Sequence, residues 1–551
     1  MHMHRKNIGR EIALSFLRRV LYIGLVLPNQ QTFRPEEYPM RSLTLAFQEN
    51  RPSALLALLA FFLHVIANAL GFYDYFRDEF YYLACSDHLA WGYVDHPPLS
   101  IVLLWLARIL FGDSLFAIRL LPALASAGLV FLTGSITREL GGTARSQLIA
   151  SLAVVIAPIY LVLCDFYSMN AIEPLFWMGM ALTFIRLVKS ENQKLWLVFG
   201  VLAGFGLQNK HGMAFFVIAL LAGLLAGTHR KQLLSRWIWY GGALAVLLAL
   251  PNVIWQATHG WPTLEFSENA TRFKNAPMSP VEFFVMQAIF QNPLALPLWL
   301  VGLGALFLHK DLKRYRLFGI AYVFLFALFV LQRGKPYYLS PIYPLLLAAG
   351  AIVFEDFFVR HSLVWLRKTY LSILVLGGIA AVLLFLPVLP VETYLRVSSA
   401  LSLSEIKTER HGDTKLQQVL ADRFGWREMT ATVARVYQSL PPEDQSRAAI
   451  YTQNYGQAGA IDFFGKEYRL PPAVSGHNNY WLWGLRGRSG EVFIIVGGHA
   501  HDHRHAFSSV DSVAFHSNPY AMPYETNLTI FVCRKPKLPI EELWARVKSY
   551  R

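Results

Sequence analysis

The amino-acid sequence predicts a polytopic α-helical membrane protein that ends in a soluble α/β domain. Three observations carry that expectation. The 551-residue chain is 54% hydrophobic and only 16% charged, with a mean hydropathy of +0.36, beyond what soluble domains show. Apolar runs long enough for a hydrocarbon core of roughly 30 Å recur up to about residue 390. After Pro390 the composition turns polar, and short β-like runs alternate with Gly-, Pro- and Asn-rich turns.

Windows of about twenty residues place about eleven spans. They lie near 53–71, 116–137, 146–163, 171–188, 195–208, 212–227, 237–255, 283–308, 317–332, 338–354 and 371–389. Pro97 to Phe111 is apolar but short and bounded by Arg108, which suits a helix lying in the interface. Lys and Arg concentrate in alternate loops: Arg138/Arg145, Arg186/Lys189/Lys194, Arg230/Lys231/Arg236, Lys310/Lys313/Arg314/Arg316 and Arg360/Arg367/Lys368. The positive-inside rule makes these loops cytoplasmic. The formal net charge of +14 is then a topology signal and requires no nucleic-acid partner. Cys85, Cys164 and Cys533 are scattered, with neither a zinc-ribbon nor a disulfide spacing.

Residues 1–50 read as a cytoplasmic leader. Ile12 to Leu27 is interrupted by Arg18 and Arg19 and lacks a small-residue cleavage site, so it is no signal peptide, and Met40 is the preferred start. Residues 51–390 form the expected transmembrane domain. Residues 391–551 form the α/β domain, with a polar helical stretch from Glu405 to Ser446 and strands at Ala448–Tyr451, Glu491–Val496 and Leu528–Val532. An odd number of spans puts this domain on the outer face.

The outer loops hold an unusual set of polar residues. Arg77-Asp78-Glu79 and Asp95-His96 follow the first span, among Tyr81, Tyr82 and Trp91. Asp165, Asn170 and Glu173 end the next hairpin, Lys210 and His211 form a turn, and His259, Trp261, Glu265, Arg272 and Lys274 fill the longest outer loop. Arg333, Lys335, Tyr337 and Tyr338 complete the set. Any one of these suits an interface anchor. Their convergence on one face describes a wet cavity at the bilayer boundary, with carboxylates for acid/base work and cations for an anion. A phosphate-linked isoprenoid donor fits that depth, its tail in the bilayer and its phosphate on Lys210, Arg333 and Lys335.

The acidic pair after the first span, the outer loop ending in HPPL, MNAIEPL and KPYYLSPIYPLL together resemble the GT-C fold glycosyltransferases. The likeness spans roughly residues 50–390 and is nearest the bacterial branch of protein O-mannosyltransferases and lipid A aminoarabinose transferases (glycosyltransferase families 39 and 83). It implies an inverting transfer from a polyprenyl-phosphate sugar, a hexose such as mannose or a pentose or aminopentose. The acceptor would be lipid A, another envelope glycan or lipid, or a protein, outside the bacterial inner membrane. By matched position, Asp78 resembles the family's catalytic carboxylate, with Glu79 beside it, and Glu173 resembles the second family acid, usually Asp. His96 stands where lipid A enzymes carry a phosphate-binding lysine, so Lys210 or Lys335 is the substitute. Tyr337 belongs to the same donor-binding segment. Asp95 and His259 are candidate ligands for a divalent metal, which the related enzymes allow, although two ligands on two loops fall short of a zinc set.

QNYGQAGAIDFFG (Gln453–Gly465) and SGHNNYWLWG (Ser475–Gly484) suit a carbohydrate or acceptor surface, or equally a Gly-rich turn over buried aromatics. HAHDHRH (His499–His505) is read as an exposed loop. The rival function is a transporter or lipid-linked sugar flippase, which would show inverted repeats and polar residues at mid-membrane depth. No repeat is visible, and the polar residues cluster at one face. A non-catalytic glycan-binding protein is disfavoured because the carboxylates are present.

Overall fold

The structure, a computed structural model, describes residues 48–401, 407 and 409–551. The expected leader, apart from 48–50, and the Met40 start lie outside the described residues. Among the described residues, seven helices are long and apolar enough to cross a membrane: Arg51–Leu70, Leu115–Glu139, Met169–Ser190, Arg236–Thr258, Lys313–Leu331, Pro336–Arg360 and Val364–Phe385. An eighth expected span, 283–308, is a pair, Pro280–Phe290 and Pro293–Leu308, bent by 97°. The bend falls where Asn292 adopts φ +69° and caps Leu294 N–H, just before a proline that donates no hydrogen bond. The other three expected spans are shorter apolar helices, Ala144–Val155, Leu195–Asn209 and Met213–Ala226. The first stops before Pro158, which opens a separate turn, Pro158–Leu163. The segment expected to lie in the interface forms the apolar helix Leu99–Phe111.

Small residues let these helices approach closely. Gly200 and Gly241 face each other where Leu195–Asn209 crosses Arg236–Thr258, and a Cβ on either would overlap the opposite backbone. Gly302 and Gly350 do the same between two other helices. Several expected cytoplasmic loops meet at one end of the bundle. Glu139 pairs with Arg186 (3.1 Å) and Lys189 (2.7 Å), and buried Glu355 with Arg367 (2.9 Å) and Arg145 (3.5 Å). The polar outer loops lie at the other end.

There the α/β domain forms. Its sheet comprises β1 (Ala448–Thr452), β2 (Ala473–Ser475), β3 (Val492–Val496), β4 (Phe507–His516) and β5 (Leu528–Pro536), in the order β2-β1-β3-β5-β4. β1 runs parallel to β2 and β3, while β5 is antiparallel to β3 and β4. The three expected strands are β1, β3 and β5, the central ones. Both faces of β1 and β3 are covered, so they read as unbroken apolar runs. The edges β2 and β4 escape that signal, β2 through brevity and β4 through its exposed Ser and Asp. The stretch expected to be helical from Glu405 resolves into Gln418–Ala421, Trp426–Ser439 and Pro442–Arg447. Glu409 instead bridges Asn275 in antiparallel fashion.

The composition changes near 390, but the packing does not. Tyr75, Phe80, Tyr81 and Tyr93 from the first outer loop share one buried cluster with Trp426, Val433, Ile450 and Ile494. Gly459 sits flush on the backbone of Phe80, where a Cβ would stand 2.8 Å from its carbonyl oxygen. Gly459→Leu should therefore lift the domain off the loop. Overpacking of this kind costs about 1–3 kcal/mol. The expected result is earlier proteolytic cleavage between the two parts and a lowered melting temperature in detergent.

Candidate active site

The helix Arg77–Asp87 carries two acids in its first turn, Asp78 and Glu79, where the helix dipole favours them. Adjacent helical residues point about 100° apart, and the two carboxylates go to different places. Glu79 is fully buried. It accepts from Arg119 Nε (2.9 Å) and Nη2 (2.7 Å), and from the backbone N–H groups of Phe76 (2.8 Å) and Tyr167 (2.8 Å). Four donors saturate it, so it ties the helix to two neighbours and does not face a substrate. Glu79, expected beside Asp78 in the chemistry, is thus buried away from the cavity that Asp78 lines.

Asp78 faces a cavity of about 1560 Å³, counted out to its open mouth. The floor is apolar, formed by Pro158, Ile159, Val162 and Leu163 of the short turn, Phe290 of the bent pair, and Leu384 and Phe385 at the end of the span Val364–Phe385. The roof is polar: Arg77, Asp78, Asp95, Lys274, Lys335, Glu409, Gln417 and Gln418. Asp78 keeps 32% of its side chain exposed and accepts a hydrogen bond from Tyr455 Oη at 2.8 Å. Tyr455 opens the helix Tyr455–Phe464, capped by Asn454, and its ring stacks between Tyr81 and His477. Tyr81 in turn donates to Asp95 (2.8 Å). The QNYGQAGAID segment thus completes the wall around Asp78. In SGHNNYWLWG, Asn479 accepts from Val94 N–H (2.7 Å), so that segment docks on the same loop.

Cations meet at one side. Lys335 Nζ lies 2.5 Å and Lys274 Nζ 3.6 Å from Glu409 Oε1, while Arg77 Nη2 is 3.9 Å from Oε2. Burial would raise the Glu409 carboxyl, but Lys274, Lys335 and Arg77 together hold it well below the usual range. Burial lowers Lys274; burial also pulls Lys335 down, but Glu409 with Tyr338 and Asp78 together raise it. Arg77 also donates to Tyr524 Oη (2.6 Å) and sits 3.8 Å from Asp422. Burial pushes Asp422 up to about 6 and Glu525, which accepts from Gln457 and Asn454, up to about 7.

Of the residues expected from sequence, Asp78, Asp95, Lys335 and Tyr337 line this cavity. Lys210 and Glu173 pair at 2.7 Å one layer beneath it, with the ammonium 4.9 Å from the Tyr338 ring centroid and 5.5 Å from that of Tyr337. They are each other's counter-ions before they are anything to a substrate. His96 is buried behind the wall, stacked on Tyr82, with Nδ1 3.1 Å from Pro97 O. Burial lowers its pKa, so it is a neutral ring rather than a phosphate-binding cation. Arg333 is exposed and stands outside the lining, contributing its carbonyl to Asn275. His259 is also outside, stacked on Trp255 with Nδ1 2.8 Å from that residue's carbonyl. The structure therefore does not join it to Asp95. Among the described residues no group of three or more His, Cys, Asp or Glu side chains is arranged to hold a metal.

Sequence reasoning placed Arg77 and Lys274 on the same face as Asp78 without assigning them a role, and it missed Glu409 and Tyr455. Tyr455 lies in a segment singled out for its composition. Glu409 sits in an ordinary polar run and carries no local signal.

Residues 95–255 match the family model described as dolichyl-phosphate-mannose-protein mannosyltransferase. No match is found among curated proteins. Among solved structures the chain is similar to ArnT from Cupriavidus metallidurans bound to undecaprenyl phosphate, at 14% identity over 87% of this chain and 97% of that one, with a TM-score of 0.57. It is also similar to that protein in the apo state, at 14% identity over 90% and 98%, with a TM-score of 0.53. The chain is a multi-pass membrane protein with the GT-C glycosyltransferase fold.

The saturation of Glu79 has a direct consequence. Glu79→Gln leaves Arg119 buried without its counter-ion, and breaking such a pair costs about 3–5 kcal/mol. The variant should show a much lower melting temperature and poor recovery from detergent extracts. A variant that melts like the wild type but turns over slowly would return Glu79 to the chemistry.

Proposed function

We propose that the protein transfers a sugar from a polyprenyl-phosphate donor to an envelope acceptor at the extracytoplasmic face of the bacterial inner membrane. The observation that carries this reading is the amphipathic cavity, with its apolar floor running onto the end of the span Val364–Phe385 and its roof of paired cations and carboxylates. An isoprenoid tail fits the floor, and a phosphate fits the lysines. The fold and the match over 95–255 support a glycosyl transfer in that setting.

In the proposed reaction Asp78 takes the proton of an acceptor hydroxyl or amine, whose lone pair attacks the anomeric carbon from the face opposite the phosphate. The bond from that carbon to the phosphate oxygen breaks with inversion, and the electron pair leaves on polyprenyl phosphate. Lys335 and Lys274 meet the charge that develops there. Tyr455 keeps Asp78 oriented, and Glu79 holds the helix that presents it. Asp78→Asn removes the base at constant volume. It should preserve melting temperature while lowering turnover by ~10²–10⁴-fold, measured on lipid-linked sugar donors. Wild-type turnover would move the base elsewhere.

The sugar remains a hexose such as mannose, a pentose or an aminopentose, and the acceptor lipid A, another glycan or lipid, or a protein. Mass spectrometry of envelope lipids and glycoproteins from a deletion strain distinguishes them.

The proposed orientation rests on the basic loops meeting at the end of the bundle opposite the cavity. A reporter active only outside the cytoplasm, fused after Arg551, should give signal. Silence there, with signal from a fusion within Lys310–Arg316, would invert the topology.

A further inference from the structure

The two lysines nearest the proposed phosphate position already hold an anion. Lys335 and Lys274 both ion-pair with Glu409, and the third cation nearby, Arg77, is shared with Asp78 (3.6 Å) and Asp422 (3.8 Å). Two ammonium groups thus share one carboxylate that itself lines the cavity. Nothing about Glu409 looks like a hydrolytic or transfer group, since its oxygens are taken up by Lys335 and by Gln418 Nε2 (3.1 Å). Its backbone is anchored independently. Glu409 bridges Asn275, Arg410 N–H donates to Lys274 O at 2.9 Å, and Arg410 Nε donates to Asn275 O at 3.1 Å. The carboxylate can therefore leave the lysines by side-chain rotation alone, with the strand-like pairing intact.

We propose that Glu409 is an internal competitor for the anion subsite: its carboxylate occupies Lys335 and Lys274 until the phosphate of the lipid donor displaces it, and reclaims them after transfer. The inference rests on the reading of the cavity as a polyprenyl-phosphate site. The charges explain the use of such a device. The donor is a phosphodiester with one negative charge, whereas the released monoester approaches two. Bare lysines would hold the product more tightly than the donor, and a resident carboxylate offsets that bias by competing at the moment of release. Because its neighbouring cations keep Glu409 ionised, the competition persists across the physiological pH range.

The test is equilibrium binding of undecaprenyl phosphate to purified full-length protein in detergent. Lys335→Ala should weaken binding. Glu409→Gln should tighten it by ~10-fold, the scale of one charge-assisted contact. Glu409→Asp keeps the charge but withdraws it by a methylene, and should fall between Glu409→Gln and the wild type. If Lys335→Ala binds as the wild type does, the reading of the cavity fails. If Lys335→Ala weakens binding but Glu409→Gln does not tighten it, the competitor is overturned and Glu409 is only a structural counter-ion. If Glu409→Gln tightens binding while Glu409→Asp equals the wild type, the effect is the remote field of the charge, which also overturns displacement. Should Glu409→Gln not fold, Lys274→Met/Glu409→Gln, which keeps the net charge, is compared with Lys274→Met. Tighter binding by the double variant supports the proposal, and equal or weaker binding overturns it.

Discussion

The buried pair between Glu79 and Arg119 is the constraint on which the site depends. Both side chains are essentially without solvent, and Arg119 also reaches Asn68 Oδ1 and Asp74 O at 3.1 Å. One guanidinium thus gathers the end of the first span, the loop after it and the start of the helix Arg77–Asp87. Burying two charges is costly unless every hydrogen-bonding direction is used. Here Glu79 accepts four hydrogen bonds and Arg119 makes four, which makes the arrangement directional. Its result is that the neighbouring residue, Asp78, has one available orientation, into the cavity.

A second layer of charge links the α/β domain to the same loop. Arg423 and Asp165, both nearly solvent-free, meet at 2.7 Å across the boundary between the two parts. Arg427 adds a half-exposed contact to Asp74 at 2.9 Å. Surface pairs of the latter kind contribute little. The former is different, because separating the domain from the bundle would strand both charges in an apolar setting or force them to rehydrate. The domain is therefore part of the cavity wall. Tyr455 reaches Asp78 across 377 positions of sequence, from a helix whose own Gly459 permits backbone contact with Phe80.

That separation explains what was legible in the sequence and what was not. The spans were readable because an apolar run is a local property. The breaks at Pro158 and at Asn292-Pro293 had local markers, but their angles depend on neighbouring helices. β1 and β3 announced themselves through continuous burial, whereas β4 hid because its exposed face is polar. For the site, Asp78 was readable as a carboxylate beside a membrane span. Which of Asp78 and Glu79 faced the cavity was not, since a 100° rotation separates them and only the position of Arg119 decides it. Lys210 and Glu173 were both readable as unusual polar residues, yet their mutual neutralisation is a tertiary fact. Glu409 is the extreme case, an acid in a polar run whose meaning comes wholly from two lysines in distant loops.

The distribution of charge around the cavity follows from these placements. Had Lys210 remained unpaired, the apolar floor would face a buried cation with no counter-ion, a costly state at that depth. Pairing with Glu173 removes that cost, and under the proposed function the phosphate falls to Lys335 and Lys274 instead. Lys335 and Lys274 are suited to it because their own partner is a rotatable carboxylate rather than one locked like Glu79. The structure thus contains two kinds of buried acid. Glu79 accepts from backbone N–H groups as well as from a guanidinium and cannot leave without unfolding the loop. Glu409 is held by side chains alone at its carboxylate, which is what the proposed exchange for a phosphate requires.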